Sequence, residues 1–203
     1  MDNQWKLVKY KNGKSKLSQK KKYKVFSYDF AQISNILTQK LYNYALAFDH
    51  YVASKPGTPE FNLNLQSLLD FFTTDATFQL GKTSQDPSNS NITVTGLDNI
   101  RSFMIGLNTG DSKTYYAGWC QHVVTNPIVE IVSDNKEYSI LTRAYLTKYF
   151  RATDSYKIGT GSYLISWTFK DGSWKIVNYL LDNRMYFKVD SLEKGVVPYI
   201  PTK

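Results

Sequence analysis

Few side chains in this 203-residue chain can move protons at neutral pH, because it contains only two histidines and one cysteine. His122 begins a predicted strand, and its imidazole, with an ordinary pKa of about 6.5, suits general acid–base chemistry. Asp49 and His50 lie near the end of a predicted helix, where they flank opposite sides of its apolar stripe. Helical periodicity alone does not show which of the two faces the core. The pattern also leaves open that each residue is a structural or solvated side chain.

Other kinds of site chemistry are excluded by motifs that the sequence lacks. It contains no phosphate-binding loop, dinucleotide fingerprint, His-Glu-x-x-His motif or nucleophile elbow. The single cysteine, Cys120, excludes an internal disulfide and a multi-cysteine zinc site, and we interpret it as a small buried apolar residue. We therefore expect no metal and no cofactor, and cofactor-independent proton chemistry remains if the protein is an enzyme.

The positive charge of the chain is concentrated at its start. Residues 1–26 contain nine Lys and one Asp, so this segment accounts for the whole formal net charge of +8. Nucleic-acid binding through the folded body is therefore not expected. The basic segment is either a solubilising arm or, through Lys20, Lys21 and Lys22, a nuclear address or a contact for an anionic surface.

Length and composition favour one domain with two short terminal segments. We expect a basic arm at 1–26, a domain at 27–190 and a tail at 191–203. The sequence has no run of about 20 apolar residues that would span a membrane, and no apolar segment typical of a secretion signal at its start. We therefore expect a cytoplasmic protein.

The first half of the chain has helical periodicity. Residues 28–52 place apolar side chains at steps of three and four, which predicts a long helix with one apolar stripe: Ile33, Leu37, Leu41, Tyr44 and Phe48. Asn64 is the predicted N-cap of a second, short helix that ends near Phe72. A short strand is expected at 77–80, an exposed loop at 82–95 and a third helix from Gly96.

The second half of the chain is typical of a β-sheet. Residues 119–132, 137–151, 158–170 and 174–187 are rich in Val, Ile, Thr, Tyr and Trp and predict four long strands. Short links, including Asp171-Gly172, favour antiparallel neighbours. We therefore predict an α+β fold, in which a curved antiparallel sheet packs against three N-terminal helices to form a cone-shaped barrel. The wide end of such a cone is a natural pocket.

Three segments in this order carry a resemblance to a known family. They are GLDNIRSF from Gly96, WCQHVVTN from Trp119, and GTGSYLISWTFKDGSWKIVNYLLDNR from Gly159. Together, over roughly residues 28–188, they resemble the SnoaL-like family of the nuclear-transport-factor-two-like cone fold, with a layout similar to that of scytalone dehydratase. The resemblance implies either a polyketide-cyclase, dehydratase or ketosteroid-isomerase type of enzyme, or one of the family's many non-catalytic binders.

The resemblance also implies roles for particular residues. The family's helix-one Asp falls on Asp49 and its Gln-His falls on Gln121-His122, which implies an acid–base pair of Asp49 and His122. Three positions of the dehydratase pattern differ. Phe48 stands where the dehydratase pattern has the Tyr before the Asp. Leu80 falls near the position of that pattern's strand Tyr, and Tyr149 falls near the position of its second catalytic His. The resemblance therefore implies an acid–base pair but not the substrate of that dehydratase.

Further candidates would shape a pocket around this pair. Tyr163 is our candidate for holding a substrate oxyanion. Asn178 and Asp182 share strand parity with the apolar positions of the last strand. The residues we expect to bind substrate are Tyr44, Phe48, Trp119, Tyr145, Tyr149, Asn178 and Asp182.

Three functions follow as hypotheses. The first is a cofactor-independent dehydratase, isomerase or cyclase that acts on a small apolar or aromatic carbonyl compound. The second is a non-catalytic ligand-binding or dimerisation module, and the third is a protein that binds nucleic acid or an anionic surface through its basic arm. For the first two we expect a homo-oligomer, a dimer or a trimer.

Overall fold

The computed structural model describes residues 5–9, 15–19, 30–81, 92–109, 119–134, 137–152 and 155–189. Two short strands, β1 (Trp5–Lys9) and β2 (Ser15–Gln19), pair with each other antiparallel. Three helices follow: α1 (Phe30–Ala53), α2 (Pro59–Leu69) and α3 (Leu97–Thr109). None of the helices in these ranges is long and apolar enough to cross a membrane.

Helix α1 forms as its apolar spacing predicts, because the stripe of Ile33, Leu37, Leu41 and Tyr44 is completely or almost completely buried. Helix α2 begins earlier than predicted. Thr58 is its N-cap, and the Thr58 hydroxyl accepts a hydrogen bond from the Phe61 amide at 3.2 Å. The prediction of Asn64 as the cap is wrong, because Asn64 lies inside the helix.

Six strands form one sheet. They are β3 (Phe72–Leu80), β4 (Ile92–Thr95), β5 (Cys120–Asp134), β6 (Glu137–Ala152), β7 (Ser155–Lys170) and β8 (Ser173–Val189). The order across the sheet is β4-β3-β8-β7-β6-β5. Strands β5 to β8 pair antiparallel in succession, as the short links predict. Strand β3 pairs parallel with β8, so the sheet is mixed, and β4 and β5 form its two edges.

The helices cover one face of this curved sheet, and the predicted α+β cone is confirmed. Helix α1 packs against β5, and α3 packs against β3. The core between the two layers is rich in aromatic side chains, including Tyr44, Phe78 and Tyr179. The rings of Phe78 and Tyr179 stack with centroids 4.5 Å apart.

Two of the bulges in the sheet change which side chains face this core. In β5 the pairing shifts between Thr125 and Ile128, and Asn126 has a φ of 50°. In β8 Ile176 pairs with Trp167 and Asn178 pairs with Ser166, which leaves Val177 unopposed. An extra residue in one strand reverses the inward and outward alternation beyond it. Inward positions in β8 are therefore even-numbered up to Ile176 and odd-numbered from Tyr179 to Asn183.

Candidate active site

Asp49 and His122 are in direct contact between the end of α1 and the start of β5. Asp49 Oδ1 lies 2.5 Å from His122 Nδ1, and Asp49 Oδ2 accepts the backbone amide of His122 at 2.9 Å. The side chain of His122 is 4% exposed and that of Asp49 is 15% exposed. His50, next along the helix, is exposed. The tertiary structure therefore selects Asp49 over His50, a choice that helical periodicity alone left open.

These contacts fix both the orientation and the protonation of the imidazole. A carboxylate only accepts hydrogen bonds, so Nδ1 of His122 carries the proton that points at Asp49, and Nε2 is left as a base. Burial lowers the pKa of His122, the hydrogen bond and charge of Asp49 raise it in part, and the Lys148 charge lowers it further. The net direction is downward, which favours a neutral imidazole at neutral pH. Phe48 packs against the imidazole at 5.0 Å between ring centroids.

His122 lines a narrow cavity between the helices and the sheet. Its walls are mostly apolar and include Phe48, Phe78, Leu107 and Phe150. The cavity volume is about 20 Å³, which is room for one or two water molecules. Asp49 is not among its lining residues, so the carboxylate lies behind the imidazole as seen from the cavity. The apolar walls and the single imidazole suit an apolar ligand that contacts His122. The described cavity, however, is largely filled by the protein's own side chains.

Lys148 is a polar wall residue that our sequence reasoning missed. It is 3% exposed, lines the same cavity as His122, and donates from Nζ to Asn183 Oδ1 at 3.0 Å. Its place in the inward series of β6, with Leu146 and Phe150 on either side, is the signal that could have identified it. Strand pairing brings Lys148 directly opposite His122.

Three tyrosines lie deep in the core near this pair. Tyr163 is 2% exposed, and its ring lies 5.6 Å from that of Tyr179 and 6.3 Å from that of Tyr44. Burial raises the pKa of Tyr163 and of Tyr44 well above the ordinary value, so both are neutral phenols. Tyr179, and not Tyr163 or Tyr44, lines the cavity. Sequence parity missed Tyr179 because the bulge at Val177 reverses the faces of β8.

The remaining predicted substrate-binding residues lie away from this cavity. Tyr145 is 62% exposed and Tyr149 is 37% exposed, because they alternate with the inward residues of β6. Trp119 is 36% exposed, just before β5 begins. Asn178 is exposed because it follows the bulge, and Asp182 contributes to a groove with Tyr145 on the other face of the sheet. None of these five side chains lines the cavity beside His122.

Cys120 completes a cluster of three donor groups with the pair. Its Sγ lies 3.6 Å from His122 Nδ1, and one ligand atom each from Asp49, Cys120 and His122 all lie within 4.8 Å of one another. Such donors can hold a transition metal, although the sequence led us to expect none. Burial raises the pKa of the Cys120 thiol, which opposes the thiolate that a metal needs. The Asp49–His122 hydrogen bond occupies the nitrogen that would bind it.

The fold and this site define an α+β cone protein with a buried carboxylate–imidazole pair beside an apolar cavity. A family model described as a SnoaL-like domain matches residues 62–179, which is more than half of the chain. The chain therefore belongs to the SnoaL-like family, as its three sequence segments predicted. None of the curated proteins compared with the chain matches it.

Solved structures share the fold at low sequence identity. A protein from Novosphingobium aromaticivorans, provisionally named a scytalone dehydratase, is 17% identical with a TM-score of 0.54, covering 83% of this chain and 94% of that one. A hexachlorocyclohexane dehydrochlorinase, LinA type 2, is 11% identical with a TM-score of 0.53, covering 83% and 99%. The β subunit of a provisionally named aromatic-ring-hydroxylating dioxygenase from N. aromaticivorans is 11% identical with a TM-score of 0.54, covering 76% and 92%.

Proposed function

We propose that the protein is a cofactor-independent enzyme of the dehydratase, isomerase or cyclase type, which uses Asp49 and His122 to move a proton on a small apolar carbonyl compound. The observation that carries this proposal is the double contact of one carboxylate with one buried histidine at the wall of an apolar cavity. A carboxylate that orients a neutral imidazole is one arrangement that supports general-base catalysis.

In this proposal each group has a role in proton abstraction. Nε2 of His122 takes a proton from the carbon next to the substrate carbonyl, and the electron pair of that C–H bond moves to form an enolate. Asp49 stabilises the imidazolium that results. In an isomerisation the imidazolium returns the proton to another carbon, and in a dehydration it protonates a leaving hydroxyl, which departs as water. A phenol steadies the enolate oxygen, with Tyr163 as our candidate and Tyr179 as the residue nearer the cavity.

A substrate needs more room than the described cavity offers. A volume of about 20 Å³ holds water but not a carbonyl compound with several carbon atoms. A wall side chain must therefore move when the substrate enters. Leu107 is only partly buried on α3, so it can move at lower cost than the fully packed wall residues.

Carbon-bound hydrogen exchange tests the proposal without a known substrate. The purified protein is incubated in D₂O with a panel of small ketones, β-hydroxy ketones and arylacetaldehydes, which all carry an α-hydrogen, and NMR follows deuterium uptake at the α-carbon. We expect the wild type to accelerate exchange for at least one compound. His122→Gln should lower that acceleration by about 10²-fold or more, because general-base catalysis contributes that much.

His50→Gln is the matched control, since His50 is one of only two histidines and is exposed. It should exchange the same compound as fast as the wild type. Thermal unfolding of each variant shows whether a lower exchange rate is caused by a loss of folded protein. Exchange no faster than buffer across the panel, or full activity in His122→Gln, contradicts the proposal.

The second candidate function is a non-catalytic ligand-binding or dimerisation module of the same fold. The observation that favours it is the small cavity volume, because a pocket filled by the protein's own side chains leaves no room for a substrate. Binding of panel compounds without exchange would support the ligand-binding form of this alternative. A homo-oligomer in the cytoplasm remains our prediction under either function.

A further inference from the structure

We infer that Asp49, Cys120 and His122 form a binding site for Zn²⁺, and that zinc bound there switches off the imidazole as a base. The inference deepens the proposed function, because it adds a regulation of the same site and rests on that function for what the switch controls. The metal site itself rests on the donor atoms and their geometry. Zinc is an inhibitor in this inference and not a cofactor of the reaction.

The first observation is the distance between the sulfur and nitrogen donors. Cys120 Sγ lies 3.6 Å from His122 Nδ1. Tetrahedral zinc, with sulfur at about 2.3 Å and nitrogen at about 2.0 Å, holds these two ligand atoms about 3.5 Å apart. The match follows from strand geometry, because Cys120 and His122 are two positions apart in β5 and therefore point to the same face.

The second observation is that the Asp49 carboxylate is oriented from another element. Asp49 lies on α1, and its Oδ2 accepts the backbone amide of His122, which directs Oδ1 at the imidazole. A hydrogen bond of this kind orients a metal ligand. The three donor atoms all lie within 4.8 Å of one another. Oδ1 lies 2.5 Å from Nδ1, so zinc must widen that distance by about 0.8 Å to reach tetrahedral spacing.

The third observation is that the surroundings offer a fourth ligand and an entry path. Cys120 and His122 both line the cavity of about 20 Å³, which has room for a water molecule that completes the coordination. Cys120 is only partly buried and the Asp49 side chain is 15% exposed, so an ion can reach the cluster from solvent. A thiolate combined with an imidazole favours zinc over magnesium or calcium.

The charges of the cluster balance those of the ion. The Asp49 carboxylate and the Cys120 thiolate together neutralise the two positive charges of zinc. The Lys148 ammonium lines the same cavity and repels the ion, which limits its affinity.

Zinc binding rearranges two protons. The Cys120 thiol, whose pKa is raised by burial, loses its proton to solvent because a coordinating thiol is deprotonated by the metal. On His122 zinc takes the place of the proton on Nδ1, and the neutral ring then carries its one proton on Nε2. The nitrogen that we propose as the base therefore becomes an N–H donor and can no longer accept a proton.

Cobalt binding tests the metal site without a substrate. Co²⁺ substitutes for zinc in thiolate sites and gives a sulfur-to-cobalt charge-transfer band in the near ultraviolet. Cys120 is the single cysteine of the chain, so the band can come from no other thiol. We expect Co²⁺ to produce the band when added to the metal-free full-length protein, and Zn²⁺ to remove it by displacement. A wild type that shows no band overturns the inference.

Two variants and a matched control locate the ligands. Cys120→Ser and His122→Gln should each weaken Co²⁺ binding by about tenfold or more, measured by competition with a metal-sensitive dye, because loss of even a supporting partner costs that much. His50→Gln should keep both the band and the affinity, since His50 is exposed. Thermal unfolding shows which variants are folded. Full affinity in a folded His122→Gln overturns the inference.

The tautomer of His122 tests the switch in the wild type, so this measurement does not depend on the folding of a variant. Nitrogen-15 NMR should show the ring proton on Nδ1 in the metal-free protein and on Nε2 in the zinc-bound protein. The signals of His50 should not change in the same sample, because His50 is exposed and away from the cluster. A proton that stays on Nδ1 when zinc is bound overturns the switch.

The α-hydrogen exchange assay separates this inference from the proposed function. The cobalt band and the tautomer change, in a protein whose metal-free form accelerates no exchange, support the metal site while contradicting the enzyme. Exchange by the metal-free protein without a cobalt band supports the enzyme and overturns the metal site. Where both are found, saturating Zn²⁺ should lower the exchange rate to that of His122→Gln, and an unchanged rate overturns the switch.

Discussion

Asp49 binds His122 twice, once through the backbone amide and once through the imidazole. The amide contact fixes the carboxylate against the start of β5, and the ring contact then fixes the imidazole against the carboxylate. The contact between Asp49 and His122 therefore joins helix α1 to the sheet at the site of the proposed proton transfer. Asp49 therefore sets both the position of the imidazole and which of its two nitrogens faces the carboxylate.

Two substitutions should move the pKa of His122 in opposite directions. Asp49→Asn removes the charge that raises it, so the pKa should fall further below 6.5. Lys148→Met removes a charge that lowers it, so the pKa should rise. Titration of the ring signals by NMR measures both values, with His50 as the internal reference. Shifts of the same sign in the two variants would contradict the proposed electrostatics.

The stability of the fold should depend on pH through His122. Its pKa is lowered in the folded state, so between about pH 6.5 and that lower value the unfolded chain binds more protons than the folded one. The free energy of unfolding should therefore fall as the pH drops below about 6.5. The loss should continue until the pH passes the folded-state pKa.

Urea unfolding across a pH series measures this effect. His122→Gln should remove the part of the pH dependence that begins near 6.5, while His50→Gln should leave it in place, because His50 is exposed. An identical pH profile in the wild type and His122→Gln would show that some other group is responsible.

Leu107→Ala should open the cavity beside His122. Leu107 is a half-buried wall residue on α3, so its truncation should cost less than the 2–5 kcal/mol or so typical of a fully buried leucine. Enlarged apolar cavities bind benzene. We expect benzene to shift the His122 ring signals in this variant more strongly than in the wild type.

Leu63→Ala is the control for this experiment, because Leu63 is 69% exposed on α2. It should respond to benzene like the wild type. No added response in Leu107→Ala, with the protein still folded, would show that this side chain does not limit access.

Gly161 and Gly106 should respond oppositely to substitution by alanine. A Cβ at Gly161 would lie 2.4 Å from the backbone oxygen of Asp182, so Gly161→Ala should destabilise the β7–β8 pairing by about 1–3 kcal/mol. A Cβ at Gly106 in α3 meets nothing within 4 Å, and Gly106→Ala should stabilise by up to about 1 kcal/mol. Chemical denaturation compares the two, and a stable Gly161→Ala protein would contradict the close approach.

Local patterns in the sequence were enough to predict most of the elements. The stripe from Ile33 to Tyr44 determined α1 because an amphipathic helix must bury its apolar side. β-Branched and aromatic runs with short links predicted β5 to β8 as antiparallel neighbours. Three short segments placed the chain in the SnoaL-like family. The start of α2 was predicted wrongly, because Asn64 and Thr58 are both good N-capping residues and only packing chose between them.

Only the tertiary structure decided which side chains meet. Asp49 faces inward and His50 outward because α1 rotates to seat its stripe on β5, a contact between residues more than 70 positions apart. Lys148 faces His122 because two strands align in one register, and Tyr179 faces the cavity because Val177 bulges. Helical and strand periods are properties of neighbouring residues, so the sequence reveals them. Register, bulges and cavity volume depend on distant parts of the chain fitting together, and no local pattern encodes them.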